Sequence, residues 1–480
     1  MELGDFKRIF IGEPFPTSRE SHERLDKVRG LAVFASDALS STAYATQEIL
    51  FILAAAGAGA FGYVFYISIA IVVLLMIVTI SYEQTVHAYP NGGGAYIVVR
   101  DNLGEYFALV AAAALLTDYI LTVAVSISSG VAQMASAFPA LLPYRPHIAT
   151  FMILLVALIN LRGVKESGTA FAIPTYFFIL MMFTTVGVGF FRLITGSLGS
   201  VVDPPELEIE HALTAITPFL LLHAFSSGTA ALTGIEALSD GTTAFTEPRG
   251  RNAGITLIWM AFILGSLFLG ISFLTGQIHA IPSEFETVIS QLTRTIYGNR
   301  GIFYLGTIAA TAVILIMAAN TAFADFPRLS ALVAADGFLP RSFNFRGSRL
   351  VFSNGIIALS VIAIILIWIF NASVTRLIPL YAIGVFLSFS LSQSGMARRW
   401  RRVGRLKPGE ELKQRGSVLK FDSKWSLKMI INGFGAVCTA VVMMVFAITK
   451  FKDGAWIVLI LTPSLVAMFI SIHRHYQDLA

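Results

Sequence analysis

The sequence predicts an all-α polytopic membrane protein, and three observations carry that expectation. Hydrophobic residues make up 56% of the 480 and charged residues 13%, against about 45–50% and about 25% in a soluble domain. This much apolar surface cannot be hidden from water, so lipid must be the solvent. The apolar runs are long and continuous, without the period-two alternation of a membrane β-barrel. Lysine and arginine gather on alternate polar loops. The single cysteine, Cys438, excludes an internal disulfide. Residues 1–28 are polar and charged and carry no cleavable signal pattern.

A span of hydrocarbon needs about 20 apolar residues. With that ruler the chain divides into twelve segments, near 29–54, 62–86, 105–138, 147–161, 168–195, 212–239, 253–276, 303–333, 353–370, 376–396, 428–449 and 455–473. The segment at 147–161 is short, and the one at 303–333 runs past the membrane. Placing the N-terminus in the cytoplasm puts 27 of the 34 Lys and Arg inside and 7 outside, so both termini are expected to be cytoplasmic. Arg398 to Lys428 holds eleven of them, and an acidic loop with Asp203, Glu206, Glu208 and Glu210 faces out. These basic clusters read as membrane orientation and anionic-lipid contact, not as a nucleic-acid interface. The polar insert at 397–427 is too short to build a core of its own. The outer insert at 277–302 contains PSEFETVISQLTRTIYG, whose spacing suits a surface helix, with Ser283 and Glu286 as a capping box.

Segments one and six are interrupted. In segment one, Ser36 to Thr42 is a run of poor helix formers whose side-chain oxygens compete for backbone partners. In segment six, Ser226-Ser227-Gly228-Thr229 does the same. Kinked packing helices are a common explanation for one such break. Two breaks at matching positions, five helices apart, point to a secondary-transporter site instead, because exposed backbone at membrane depth is tolerated only around a polar cavity.

Asp37, Asp118 and Glu236 are carboxylates within the apolar spans of segments one, three and six. Each costs ~2.5–3.5 kcal/mol at the bilayer centre even on a lenient scale. No Lys or Arg lies mid-span in segments one, three or six to pair with them. Hydroxyls surround them. Asp118, Thr122 and Ser126 follow i, i+4, i+8 along one helical face; Thr229, Thr233 and Glu236 are four and three apart; Tyr44 lies two turns beyond Asp37. These are hard oxygen ligands suited to alkali and alkaline-earth cations, although any one Ser or Thr equally suits helix packing. Asp37, Asp118 and Glu236 are therefore the candidate metal-ion ligands. Three carboxylates around a monovalent ion leave excess negative charge, so one is expected to carry a proton. Glu236 and Asp118 are the candidates for coupling proton movement to cation uptake. No cofactor is indicated.

The stretch SDALSSTAYA resembles the G-D-x-x-x-S-x-x-Y-A element of KUP-type potassium uptake proteins, with Asp37 and Tyr44 in register. Tyr89 to Tyr96, followed by Arg100, resembles the P-x-x-G-G-x-Y signature of the amino acid–polyamine–organocation superfamily. Overall the chain is similar to KimA-type potassium importers of the KUP group, through VFASDALSSTAYA, TDYILTVAVSISSG, ALTGIEALSDG and PLYAIGVF. The resemblance implies a LeuT-type fold: inverted repeats at 29–195 and 212–396, a basic loop at 397–427, and two further helices at 428–480. It implies a homodimer and proton-driven potassium import. It places Asp37, Tyr44, Asp118, Tyr119, Thr122, Ser126, Thr233, Glu236 and Tyr381 along the potassium path. The family's better-known members continue into a cytoplasmic domain. This sequence ends at Ala480, so control by cyclic di-AMP and tail-mediated dimerisation are not expected to carry over.

An amino-acid permease of the same superfamily grips a substrate carboxylate at the first break, where Asp37 would repel it. A polyamine or other organic cation fits the acids better, with Phe34, Tyr44 and Phe225 as aromatic walls. A channel would need repeated filter loops, which are not seen. An enzyme finds no HExxH or GxSxG, and His87 and His223 read as helix-end residues.

Overall fold

The structure is a computed structural model and describes residues 24–92, 94–163, 168–206, 215–347 and 351–478. Most of the N-terminal segment, Gly93 of the glycine run, and Glu208 and Glu210 of the acidic loop lie outside the described residues. In chain order the helices are α1 (Lys27–Ser40), α2 (Ala45–Leu53), α3 (Val64–Ala88), α4 (Ala95–Asn102), α5 (Glu105–Ala137), α6 (Arg145–Leu161), α7 (Gly168–Ile194), α8 (Pro218–Gly228), α9 (Ile235–Asp240), α10 (Arg249–Gln277), α11 (Val288–Tyr297), α12 (Ile302–Ala335), α13 (Ser353–Ile369), α14 (Val374–Val403), α15 (Trp425–Thr449) and α16 (Trp456–Asp478). Among the described residues, ten helical stretches are long and apolar enough to cross a membrane. Two apolar regions fall short of that length. The 17-residue α13 is compact, and the first segment is split into α1 and α2, of 14 and 9 residues.

Helix α5 is the axis of the molecule. Its apolar stretch is 89% buried, against 28% for α15 and 22% for the last helix, so α5 is enclosed by protein while those two lie at the periphery. It packs against α12 and α14; α1 packs against α7, α10 and α12; α2 lies on α8.

Both interruptions exist, but each sits later than the sequence suggests. Helix α1 stays regular through Ser40 because Ser36, Ser40, Ser41 and Thr42 donate to carbonyls three residues back, as part of the helix instead of in competition with it. The irregular residues are Ser41 to Tyr44. Helix α8 likewise continues through Gly228; the chain unwinds over Thr229–Gly234, and Gly234 turns left-handed at φ 82°.

The outer insert also differs from expectation. The cap of α11 is Thr287, whose hydroxyl accepts from the Ser290 amide at 3.2 Å, while Ser283 accepts from the nearby Phe285 amide. Most of α11 is buried; its apolar face is covered because it folds back onto α12 and α7. At the other end of the molecule the basic insert forms a two-stranded hairpin, β1 (Glu411–Lys413) and β2 (Val418–Lys420), with Leu412 opposite Leu419. Too short for a core of its own, it buries Leu419 in a small cluster with Tyr89, Val98, Trp400 and Val403.

Candidate functional site

The two helix breaks meet. Ser41 donates to the Ala231 carbonyl at 3.0 Å, joining the irregular turn of the first segment to that of the sixth. Gly234 packs directly on Asp37: a Cβ there would lie 2.6 Å from the Ala38 nitrogen and 2.8 Å from the Asp37 carboxyl carbon. The left-handed turn and the missing side chain thus serve one purpose, bringing α9 against α1 beside its carboxylate.

Asp37, Tyr44, Asp118, Thr122, Ser126, Thr229, Thr233, Glu236 and Tyr381 are all buried. Asp118 lies within electrostatic range of both Asp37 and Glu236. Tyr381 on α14 bonds Thr122 on α5 at 2.9 Å and faces Tyr44, Asp118 and Asp37. Thr233 donates to the Ala230 carbonyl at 2.9 Å and lies beside Tyr44. Helix α14 can approach α5 here because Gly384 has no side chain; a Cβ would sit 2.9 Å from the Ala114 carbonyl and 3.8 Å from the Asp118 Cβ.

The three acids are not equivalent. Glu236 has both oxygens engaged: the Ala95 amide donates to Oε1 at 2.9 Å and Ser388 donates to Oε2 at 2.8 Å. Each such charge-assisted bond contributes about 1.5–3 kcal/mol, so the protein itself holds this carboxylate. Asp118 is different, for its Oδ1 is buried with no hydrogen-bond partner. A buried orphan oxygen of this kind calls for an unseen ligand. Among the described residues no three His, Cys, Asp or Glu side chains are spaced to enclose a metal ion. A cation here would take hydroxyl and carbonyl oxygens alongside a carboxylate, a donor set suited to a weakly hydrated monovalent ion.

Two expected residues point elsewhere. Thr229 donates to the Ser226 carbonyl of its own turn at 2.6 Å. Tyr119 donates to Asp240 at 2.8 Å, in a cavity of about 210 Å³ that Asp325, Tyr96 and Arg328 also line. Phe34 stacks on Phe245 at 5.5 Å and is core. Of the histidines, His223 contacts Asp453 and His87 the Glu83 carbonyl.

Sequence reasoning missed Asp325, which acts electrostatically on Asp37, as well as Asp240 and Glu48. The signal for Asp325 was present: it is a carboxylate in an apolar run, as Asp118 is. Its segment, 303–333, runs past the membrane, so the sequence alone does not place Asp325 at membrane depth. Ser388 carries no signal at all, since only the packing of α14 aims it at Glu236.

The sequence profile of the amino acid permease family matches residues 28–470. The chain belongs to this family. It is also 43% identical to the potassium transporter KimA of Bacillus subtilis (strain 168), over 472 residues that cover 98% of this chain and 74% of that protein. The permease is therefore a multi-pass membrane protein of the transporter class. The pair of broken segments and the buried acids fall inside the matched region.

Proposed function

We propose that the chain is a secondary transporter that imports potassium across the plasma membrane, with proton movement coupled to uptake. The observation that carries this is the meeting of the two breaks at Asp37 and Gly234, beside the orphan Asp118 oxygen. The 43% identity to a potassium transporter supports the choice of ion. In this reading Asp118, Asp37, Tyr44, Thr122, Thr233 and Tyr381 line the ion's path. Glu236, braced by α4 and α14, senses which way the site opens and is the coupling acid together with Asp118.

The finer architecture belongs to the same proposal. With α1–α2 and α13 counted, the chain crosses twelve times, residues 29–195 and 212–396 form inverted repeats, and both termini are cytoplasmic, in keeping with the basic loops. A homodimer is part of it on family resemblance. Voltage of 100 mV contributes ~2.3 kcal/mol per charge, while each tenfold gradient costs about 1.4, so uptake beyond roughly fifty-fold would need the proton.

The test is growth of cells lacking their own potassium uptake systems at limiting potassium, with rubidium uptake measured alongside. Wild type should rescue and Asp118→Asn, present at equal abundance in the membrane, should not. Failure of a folded wild-type protein to rescue would reject potassium in favour of an organic amine, which the acids also suit.

A further inference from the structure

A buried charge that the central site does not use lies at the turn between α15 and α16. Lys450 in that turn is only 2% exposed. Burial pushes its ammonium below the ordinary lysine value, with Asp453 and Glu48 acting in opposition. Its Nζ is 3.6 Å from Asp453. Glu48, on α2, is itself 1% exposed, accepts from Thr375 at 3.0 Å and interacts electrostatically with Lys450 and Glu284.

The same turn grips a second half-helix. Asp453 contacts His223 of α8 at 3.1 Å, and Thr449 bonds Ser226 of α8 at 3.0 Å. Helix α8 packs on α2 on one side and on α15 on the other. The half-helix that precedes the second break is thus tied to this turn by two polar contacts, and the one that follows the first break by the attraction between the buried Glu48 and Lys450. A buried charge is retained only with its partner present, and removing one member strands the other. Such a contact is strong while closed and is lost at once when the parts separate, as a two-state element requires.

We propose that the α15–α16 turn is the latch of the outer gate, with Lys450 and Asp453 as positioning residues that hold α2 and α8 closed over the cation site. Resting on the transporter reading above, the proposal adds that these half-helices move against a fixed α15–α16 pair. The charged groups facing the latch are Glu48 on α2, His223 on α8, Asp453 in the turn itself, and Glu284 with Arg145 at its edge.

Hydrogen–deuterium exchange on the purified full chain tests this without transport. In Lys450→Met, peptides covering 45–53 and 218–228 should exchange at least threefold faster, while those covering 95–102 should not change. In cells, rubidium uptake should show a lower KM for the external ion and a lower maximal rate, because a gate biased open binds outside and closes less often. Glu48→Gln combined with Lys450→Met removes both charges and should return exchange to within twofold of wild type. Unchanged exchange in Lys450→Met, or a double variant no closer to wild type than the single one, overturns the latch. If Lys450→Met does not accumulate, Asp453→Asn, on the exposed side of the turn, should shift exchange in 218–228 the same way, and no shift there overturns it equally. A wild type without rubidium uptake would refute the transport reading while the exchange data still judge the latch.

Discussion

Replacing Gly234 by Ala tests the junction of the two breaks with one methyl group. Two costs arise from the structure. The residue sits at φ 82°, where an L side chain costs roughly 1–2 kcal/mol. The new Cβ would also stand 2.6 Å from the Ala38 nitrogen and 2.8 Å from the Asp37 carboxyl carbon; relieving such overpacking costs typically about 1–3 kcal/mol. The sum is about 2–5 kcal/mol, and each 1.4 is tenfold, so transport should fall by roughly thirty-fold or more. The clash is with backbone and a short carboxylate, so α1 and α9 must part and Asp37 must leave its place. The assay is initial rubidium uptake at matched membrane abundance, paired with thermal melting in detergent. Gly384→Ala is the control: it meets the Ala114 carbonyl at 2.9 Å but pays no left-handed penalty, and its loss should be smaller. Uptake by Gly234→Ala within twofold of wild type would refute the claim that this contact sets the site.

Three further outcomes are expected. Tyr381→Phe removes the 2.9 Å bond to Thr122, worth about 0.5–1.5 kcal/mol, and should raise KM roughly three- to ten-fold; adding Thr122→Val should cost little more if the two act through one bond, as a double-mutant cycle would report. Glu236→Gln keeps an oxygen for one donor but turns an amide toward the other, the Ala95 amide or Ser388; uptake should weaken and its dependence on external pH should flatten, whereas an unchanged pH profile would remove Glu236 from coupling. Asp336 receives Tyr96 at 2.7 Å, Arg100 at 2.6 Å and Arg415 at 2.9 Å, clamping α4 and the hairpin to the end of α12, so Asp336→Asn should increase protease cleavage at 411–420 without abolishing membrane insertion.

Composition and run length alone settle the environment and most helix positions, because lipid admits only self-satisfied backbone and a fixed span length. Segment 62–86 matches α3 at Val64–Ala88 to within two residues at each end, and segment 105–138 matches α5 at Glu105–Ala137. Asp37, Asp118 and Glu236 are legible for a similar reason: a carboxylate in an apolar run stands out by its cost. The sequence also shows that segments one and six are irregular.

Where they break was decided by tertiary structure. A serine hydroxyl can compete with the helix or join it, and neighbours settle which; the left turn at Gly234 is required only because Asp37 is pressed against it. The same limit applies to roles. Glu236 and Asp118 look alike along the chain, yet one is claimed by Ala95 and Ser388, 141 and 152 residues distant in sequence, and the other is left open. Partners so far apart leave no periodicity to read. The hydrocarbon phase writes its demands into the sequence residue by residue, whereas the geometry of a site comes from packing between helices and exists only once they have met.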